Sequence, residues 1–260
     1  MATSDLFSID GRTALVTGGG RGIGAMIARG FLEAGAARVY IASRKAADLE
    51  EAADRLGQLG DCVPLTADLS TGDECRRLAA EVLEREDGRL DILVNNAGAN
   101  WGAPFEEFPD SAWDRVLDVN VKGVFALTQA LHPGLRAAGA PGSPARVLNI
   151  GSIDGLRVPE MDTYSYSTSK AAVHQLTRVL ARRLARDHIT VNAIAPGPFE
   201  SKMMEATLDL FREHIEAACP MGRIGEPDDI AAAAIYLTSR ASAWMTGVVL
   251  PVDGGMSTTV

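Results

Sequence analysis

The sequence predicts an α/β chain in which a doubly wound, seven-stranded parallel sheet carries helices on both faces. Three observations predict it. Seven short apolar runs recur along the 260 residues. Segments with helical periodicity fill most of the gaps between them. Most of the runs are β-branched and apolar throughout, as strands covered on both faces require.

The elements follow in order. TALVTG (13–18) is a buried strand, and the apolar spacing after it reads as a helix over 23–35. RVYIAS (38–43) is the second strand and 46–59 the second helix. CVPLTA (62–67) and the amphipathic stretch 71–86 repeat the unit, as do DILVNN (91–96) and a long helical pattern over 111–138. RVLNIGS (146–152) precedes a helix over 165–187, ITVNAIA (189–195) precedes one over 227–238, and GVVLPVD (247–253) closes the sheet. Strand–helix–strand units of this kind connect by right-handed crossovers. AAGAPGSPA (137–145) is a helix-to-strand loop, because residues on both sides of it are needed to continue the sheet. No internal repeat or long linker interrupts the pattern, so 1–260 is read as one domain.

Composition narrows the function. The formal net charge of −9 repels phosphate backbones, so nucleic acid is not an expected partner. No apolar run reaches membrane-spanning length, and the N-terminus MATSDLFSID has neither a basic segment nor a long apolar one. A cytoplasmic protein is the expectation. Cys62, Cys75 and Cys219 are scattered and odd in number, which suits a reducing compartment. His132, His174, His188 and His214 lack metal-ligand spacing, so no metal site is expected and the four are read as surface or satisfied core residues.

Five glycines lie between positions 18 and 24, where the first strand meets the first helix. Glycine is costly in either element. At the junction it lets the chain turn sharply and lets backbone amides approach a diphosphate, while the helix N-terminus adds partial positive charge. The spacing Thr17-Gly18-x-x-x-Gly22-x-Gly24 differs from the common dinucleotide fingerprint by one loop residue. A glycine pattern alone would fit a tight turn with no ligand. A strand before it and a helix after it favour a dinucleotide cradle made by Gly18, Gly20, Arg21, Gly22, Ile23 and Gly24.

Further motifs follow: Asp68 after the third strand, Asn95-Asn96-Ala97-Gly98 after the fourth, Asn120 within the long helix, Ser152 after the fifth strand, Tyr166-x-x-x-Lys170, and Pro196-Gly197 after the sixth. Together and in this order they resemble the short-chain dehydrogenase/reductase family over essentially the whole chain. LVNNAGANWG (93–102) and ACPMGRIGEP (218–227) look most like bacterial NADPH-dependent β-ketoacyl reductases, the rhamnolipid-associated type among them. The resemblance implies a Rossmann-type sheet and hydride transfer between a nicotinamide cofactor and a ketone or secondary alcohol, with a 3-oxoacyl thioester as one candidate substrate. It implies that Asn95, Ala97 and Gly98 lie against the cofactor ribose, Asp68 and Leu69 near the adenine, and Pro196 and Gly197 beside the nicotinamide. It further implies that Asn120 holds a water linking Lys170 to solvent.

The residues support that chemistry in their own right. Tyr166 and Lys170, four apart, share one helix face. A phenol ionises near ~10, and a neighbouring ammonium is expected to lower that value. Tyr166 then serves as acid in ketone reduction and as base in alcohol oxidation. Tyr164 is six residues from Lys170 and points to another side. The Ser152 hydroxyl is placed to bond the substrate carbonyl as charge develops on its oxygen. The acidic residue that holds a free ribose hydroxyl, about 20 residues beyond the glycines, is replaced here by Ser43, followed by Arg44. With Arg21, that suits a 2′-phosphate, so NADP is the expected cofactor.

The segment 198–218 resembles a lid. Met203, Met204, Leu208 and Phe211 either form an apolar wall for substrate or pack the lid onto the body. Trp101 and the loop 153–163 should border the pocket. Helices 111–138 and 165–187 carry apolar residues on more than one side (Val116, Val124, Leu127, Leu131, Val173, Leu176, Val179, Leu180, Leu184), which with the resemblance implies a homotetramer. Two other readings compete with a ketone reductase: a family member acting on a sugar, polyol or steroid alcohol, and a dinucleotide-binding redox sensor without chemistry. A sensor has no need of the Tyr166–Lys170 pair.

Overall fold

The computed structural model describes residues 3–202 and 204–259. Seven parallel strands form one sheet: β1 (Thr13–Thr17), β2 (Arg38–Ser43), β3 (Cys62–Thr66), β4 (Ile92–Asn95), β5 (Ala145–Ile150), β6 (Ile189–Pro196) and β7 (Val249–Val252). Their spatial order is β3-β2-β1-β4-β5-β6-β7. The chain winds outward from β1 in one direction and from β4 in the other. The C-terminal ends of β1 and β4 therefore diverge, and open α/β sheets bind ligands in the crevice left there.

After a short N-terminal turn, α1 (Thr3–Leu6), the helices are α2 (Gly22–Glu33), α3 (Ala46–Leu56), α4 (Gly72–Arg85), α5 (Asp110–Leu117), α6 (Val124–Ala138), α7 (Tyr164–Leu184), α8 (Glu205–Ala218) and α9 (Pro227–Thr238). They cover the sheet on both faces. Ile27, Phe31, Leu49 and Ile230 pack with Val16, Val39, Ile41 and Val94 on one side. Leu78, Val82, Leu127, Leu131 and Leu180 pack with Leu15, Tyr40, Leu93 and Val147 on the other. Alternate residues of β1 thus enter opposite cores, which explains why the strands read as unbroken apolar runs.

Element ends differ from expectation by one to three residues. The fourth and fifth strands stop at Asn95 and Ile150, because 96–98 and 151–152 leave the sheet to build the crevice. The helix expected over 111–138 is divided. A wide π turn, Asp118–Gly123, separates α5 from α6. Such turns recur at functional sites, since they re-aim one side chain without ending the helix. Here the turn carries Asn120, while Gly123 backs so closely onto Leu69 that a Cβ would lie 2.4 Å from its carbonyl oxygen.

Candidate active site

The glycine loop is shaped by close backbone contacts. Gly18 has φ +65°, and its amide donates to Ala42 O. A Cβ on Gly24 would lie 2.3 Å from Gly18 O, so the first turn of α2 can dock only without a side chain. Gly19, which the motif does not single out, is equally constrained: a Cβ would meet Ile41 Cγ2 at 2.7 Å. Gly20 faces only ordinary contacts, and Arg21 at the N-cap of α2 provides no side-chain cap. The helix N-terminus is thus open toward the crevice, as a dinucleotide phosphate requires. Ile23 is half-buried beside it and packs against the core.

The 95–98 segment divides its work. Asn95 is buried and donates from Nδ2 to Thr128 Oγ1 (3.1 Å) and Asn149 Oδ1 (2.9 Å). Its side chain braces α6 and β5. Asn96 Nδ2 donates to Thr17 O, and the amides of Asn96 and Ala97 both donate to Thr17 Oγ1. This ties the segment to the glycine loop. Gly98 lies in a cradle: a Cβ there would sit 3.4 Å from Asn120 Oδ1 and 3.8 Å from Lys170 Nζ. Asn120 is fixed by Ala99 N (2.8 Å to Oδ1), Ala99 O and Ser169 Oγ.

Ser152, Tyr166 and Lys170 meet at the end of β5. Ser152 is buried, and its Oγ accepts from Asp154 N at 3.1 Å. The Ser152 hydroxyl acts on Tyr166 in the direction of ionisation. Lys170 Nζ lies 5.4 Å from the Tyr166 ring centroid and donates to Ile150 O at 2.8 Å. The expected lowering of the phenol is reversed. Burial, then the charge of Asp154, push Tyr166 up to about 12, with Ser152 opposing. Burial also pulls Lys170 down to about 8, with Asp154 opposing. The ammonium is itself desolvated and donates to a carbonyl, so it does not offset the desolvation of the half-buried phenol. Tyr164 is elsewhere: its hydroxyl donates to Asp162 Oδ1, and its ring packs edge-on against Phe105 and Phe108.

The adenine-side candidates line the β2 and β3 ends. Ser43 ends β2 and pairs with Thr66. Arg44 is exposed. Arg21, also exposed, approaches Asp48 at 3.6 Å, so its charge is shared with a carboxylate. Asp68 does not cap α4, whose N-cap is Thr71; it accepts from Ser70 N instead. Leu69 is buried. Pro196 ends β6, and Gly197 crosses Asp253 so closely that a Cβ would lie 2.9 Å from its Cα. The crevice between these groups suits a dinucleotide: open amides at one end, a glycine cradle in the middle, and a tyrosine–lysine pair at the other end.

A cleft of about 370 Å³ is lined by Asn100, Gly102, Ala103, Pro104, Met161, Asp162, Thr163, Met204 and Thr207, next to the start of α7. Met204 lines the cleft, Leu208 packs inward, and Phe211 is exposed. Met203 lies outside the described residues. Trp101 is covered by the Arg115 guanidinium, 5.5 Å from its ring centre. A second cavity, about 430 Å³, sits at the opposite end of the sheet among Arg12, Glu86, Arg89 and Asp91, where Arg12 and Asp91 pair at 3.4 Å.

Two side chains at the site carry no motif signal. Asp154 follows Ser152 on a single 3₁₀ turn, Ile153–Gly155. His174, one helical turn beyond Lys170, is buried with neither ring nitrogen in a hydrogen bond of normal geometry. It is therefore not a satisfied core residue. Burial pulls it down to about 4, which keeps it neutral. Among the described residues no cluster of His, Cys, Asp and Glu could hold a metal, and no helix is long and apolar enough to cross a membrane.

Comparison with known proteins agrees with this geometry. The family model described as enoyl-(acyl carrier protein) reductase matches residues 18–257. The chain is 51% identical over 251 residues to the 3-oxoacyl-acyl-carrier-protein reductase of rhamnolipid biosynthesis from Pseudomonas aeruginosa, covering 96% of this chain and 97% of that one. It is 40% identical over 255 residues to an L-tagatose-forming galactitol 2-dehydrogenase from Cereibacter sphaeroides, covering 96% of each. Among solved structures it superposes on the RhlG/NADP active-site complex of Pseudomonas aeruginosa with a TM-score of 0.93 at 49% identity, covering 97% of this chain and 99% of that one.

Proposed function

The chain belongs to the short-chain dehydrogenase/reductase family, and from that premise we propose that it reduces a ketone to a secondary alcohol with NADPH, a 3-oxoacyl thioester being the favoured substrate class. The observation that carries this reading is the junction of Ser152, Tyr166 and Lys170 at the C-terminal end of β5. When bound, the dinucleotide supplies the hydride. The chain does the rest. Ser152 and Tyr166 present two hydroxyls to one carbonyl oxygen, which fixes the ketone and stabilises charge as it develops there. Tyr166, held protonated, gives its proton to that oxygen. Lys170 offsets the phenolate that remains, and Asn120, buried and bonded to Ser169, is the residue proposed to hold a relay water.

The coenzyme reading rests on Ser43, Arg44 and Arg21, and on the NADP in the similar Pseudomonas aeruginosa structure. Met161, Ala103, Pro104 and Met204 in the cleft favour an acyl chain. The polyol reading draws on the galactitol dehydrogenase relative and on Asn100 and Asp162 in the same wall, which can hold hydroxyls. Turnover of 3-oxoacyl thioesters and sugar-derived ketones, each with NADPH and NADH, separates the two.

The homotetramer is part of this proposal, on a narrower basis than the sequence offered. Val116, Val124, Leu127, Leu131, Val173, Leu180 and Leu184 are buried within the protomer, and Leu176 is half-buried. Phe125 on α6 and Val179 on α7 remain exposed, as does Trp244 before β7. A cytoplasmic location and a single domain over 1–260 complete the reading.

A further inference from the structure

We propose that His174 is a positioning residue for Ser152: its imidazole is the seat on which the segment 151–155 rests, and that seat sets where the Ser152 hydroxyl meets the substrate oxygen. The inference rests on the ketone-reductase reading and adds a residue that the motifs quoted above do not include.

Ser152 stands on a short segment with a glycine at each end, and both glycines meet the tip of one ring. A Cβ on Gly151 would lie 2.1 Å from His174 Nε2 and 2.6 Å from its Cδ2. A Cβ on Gly155 would lie 2.8 Å from His174 Cε1 and 2.7 Å from Ala171 N. Neither position admits a side chain while the ring is in place. The segment is also tied to itself. Ser152 Oγ accepts from Asp154 N at 3.1 Å, and Gly155 N donates to Ser152 O at 3.0 Å. On its other side, Gly151 N donates to Ile194 O of β6 at 2.7 Å.

Helix α7 therefore holds the end of β5 at two points one turn apart. Lys170 Nζ donates to Ile150 O at 2.8 Å, and His174 backs Gly151 and Gly155. Tyr166 lies one turn before Lys170, so the helix that carries the phenol also supports the turn that carries Ser152. The ring is only 2% exposed, and among the described residues neither of its nitrogens makes a hydrogen bond of normal geometry. It acts through its shape. A reacting group displaced by about 1 Å can cost on the order of 10²-fold in rate, so contacts this close have kinetic weight.

The test is a double-mutant cycle between His174→Ala and Ser152→Ala, read as kcat for ketone reduction with NADPH. His174→Ala should lower kcat by about 10- to 100-fold, with the NADPH dissociation constant within a few-fold of wild type. In the Ser152→Ala background the same change should cost about twofold at most, because it acts through the hydroxyl already removed. A second cycle tests the contact itself. Gly151→Ala drives a methyl group into the ring and should lower both kcat and Tm. Adding His174→Ala should recover part of each, since the methyl group enters the space the ring leaves. If His174→Ala does not fold, His174→Asn, smaller but planar, takes its place in both cycles. A His174→Ala kcat equal to wild type overturns the proposal. So do losses that multiply in the Ser152→Ala background, or a Gly151→Ala enzyme that the second substitution does not improve. A wild type that turns over no ketone would contradict the functional reading alone. The crystal structure of His174→Ala then decides the role of His174: Ser152 Oγ should move by about 1 Å, and coincidence with wild type refutes it.

Discussion

At the scale of single residues, the site is built to keep a proton until a substrate oxygen can take it. Desolvation, then the charge of Asp154, hold the proton on Tyr166, with Ser152 acting in the opposite direction. Removing the hydroxyl should therefore cost the proton and little else. Tyr166→Phe should lose ~10²–10⁴-fold in kcat while the NADPH dissociation constant stays within a few-fold of wild type, measured by fluorescence titration. Tyr164→Phe breaks a surface bond to Asp162 and should change kcat far less. The motif residues were legible because spacing alone puts Tyr166 and Lys170 on one face and Ser152 at a strand end. Their electrostatics were not. The depth of burial that turns Lys170 from a donor of positive potential into a desolvated group depends on how α7 lies against β5, which no local spacing encodes. Asp154 and His174 were missed for the same reason, since they become significant only when the 3₁₀ turn docks on α7.

At the scale of elements, strand existence and order were legible because apolar β-branched runs and helical periodicity are local signals. The π turn at Asp118–Gly123 was not. Its cause is tertiary: Asn120 is drawn to Ala99 and Ser169, and Gly123 to Leu69. Asn95 shows a related effect. Its side chain closes a buried polar chain through Thr128 and Asn149 to Thr177, a packing role that its place in the motif does not announce. The glycine loop gives the sharpest test at this scale. Gly24→Ala puts a methyl group against Gly18 O and Asn96 Nδ2, so α2 must shift away from the loop. Overpacking of this kind costs about 1–3 kcal/mol. Thermal unfolding should report a lower Tm, and NADPH affinity should fall along with it. Gly20→Ala, with its nearest protein neighbour at 3.5 Å, should keep the Tm, and any loss should appear in affinity alone.

At the scale of the whole molecule, the apolar residues left outside the core have to be covered or tolerated. Phe125 and Val179 lie on the two helices proposed to pair, so Phe125→Asp with Val179→Asp should give a smaller species by light scattering; an unchanged mass would move the interface elsewhere. Coenzyme choice also belongs here, because it joins a residue at the end of β2 to arginines on two elements. Charge-assisted hydrogen bonds contribute ~1.5–3 kcal/mol each, and ~1.4 kcal/mol is a factor of ten. Even with Arg21 shared with Asp48, Ser43→Asp with Arg44→Ala should reverse a preference of that size, since it adds repulsion as well as removing attraction. The most direct test of the whole account is kcat/KM for 3-oxoacyl thioester reduction with NADPH and with NADH, in wild type and Tyr166→Phe. The account predicts NADPH consumption at least about tenfold more efficient than NADH, abolished in the variant. An enzyme that prefers NADH, or that keeps near-normal turnover without the Tyr166 hydroxyl, would contradict it.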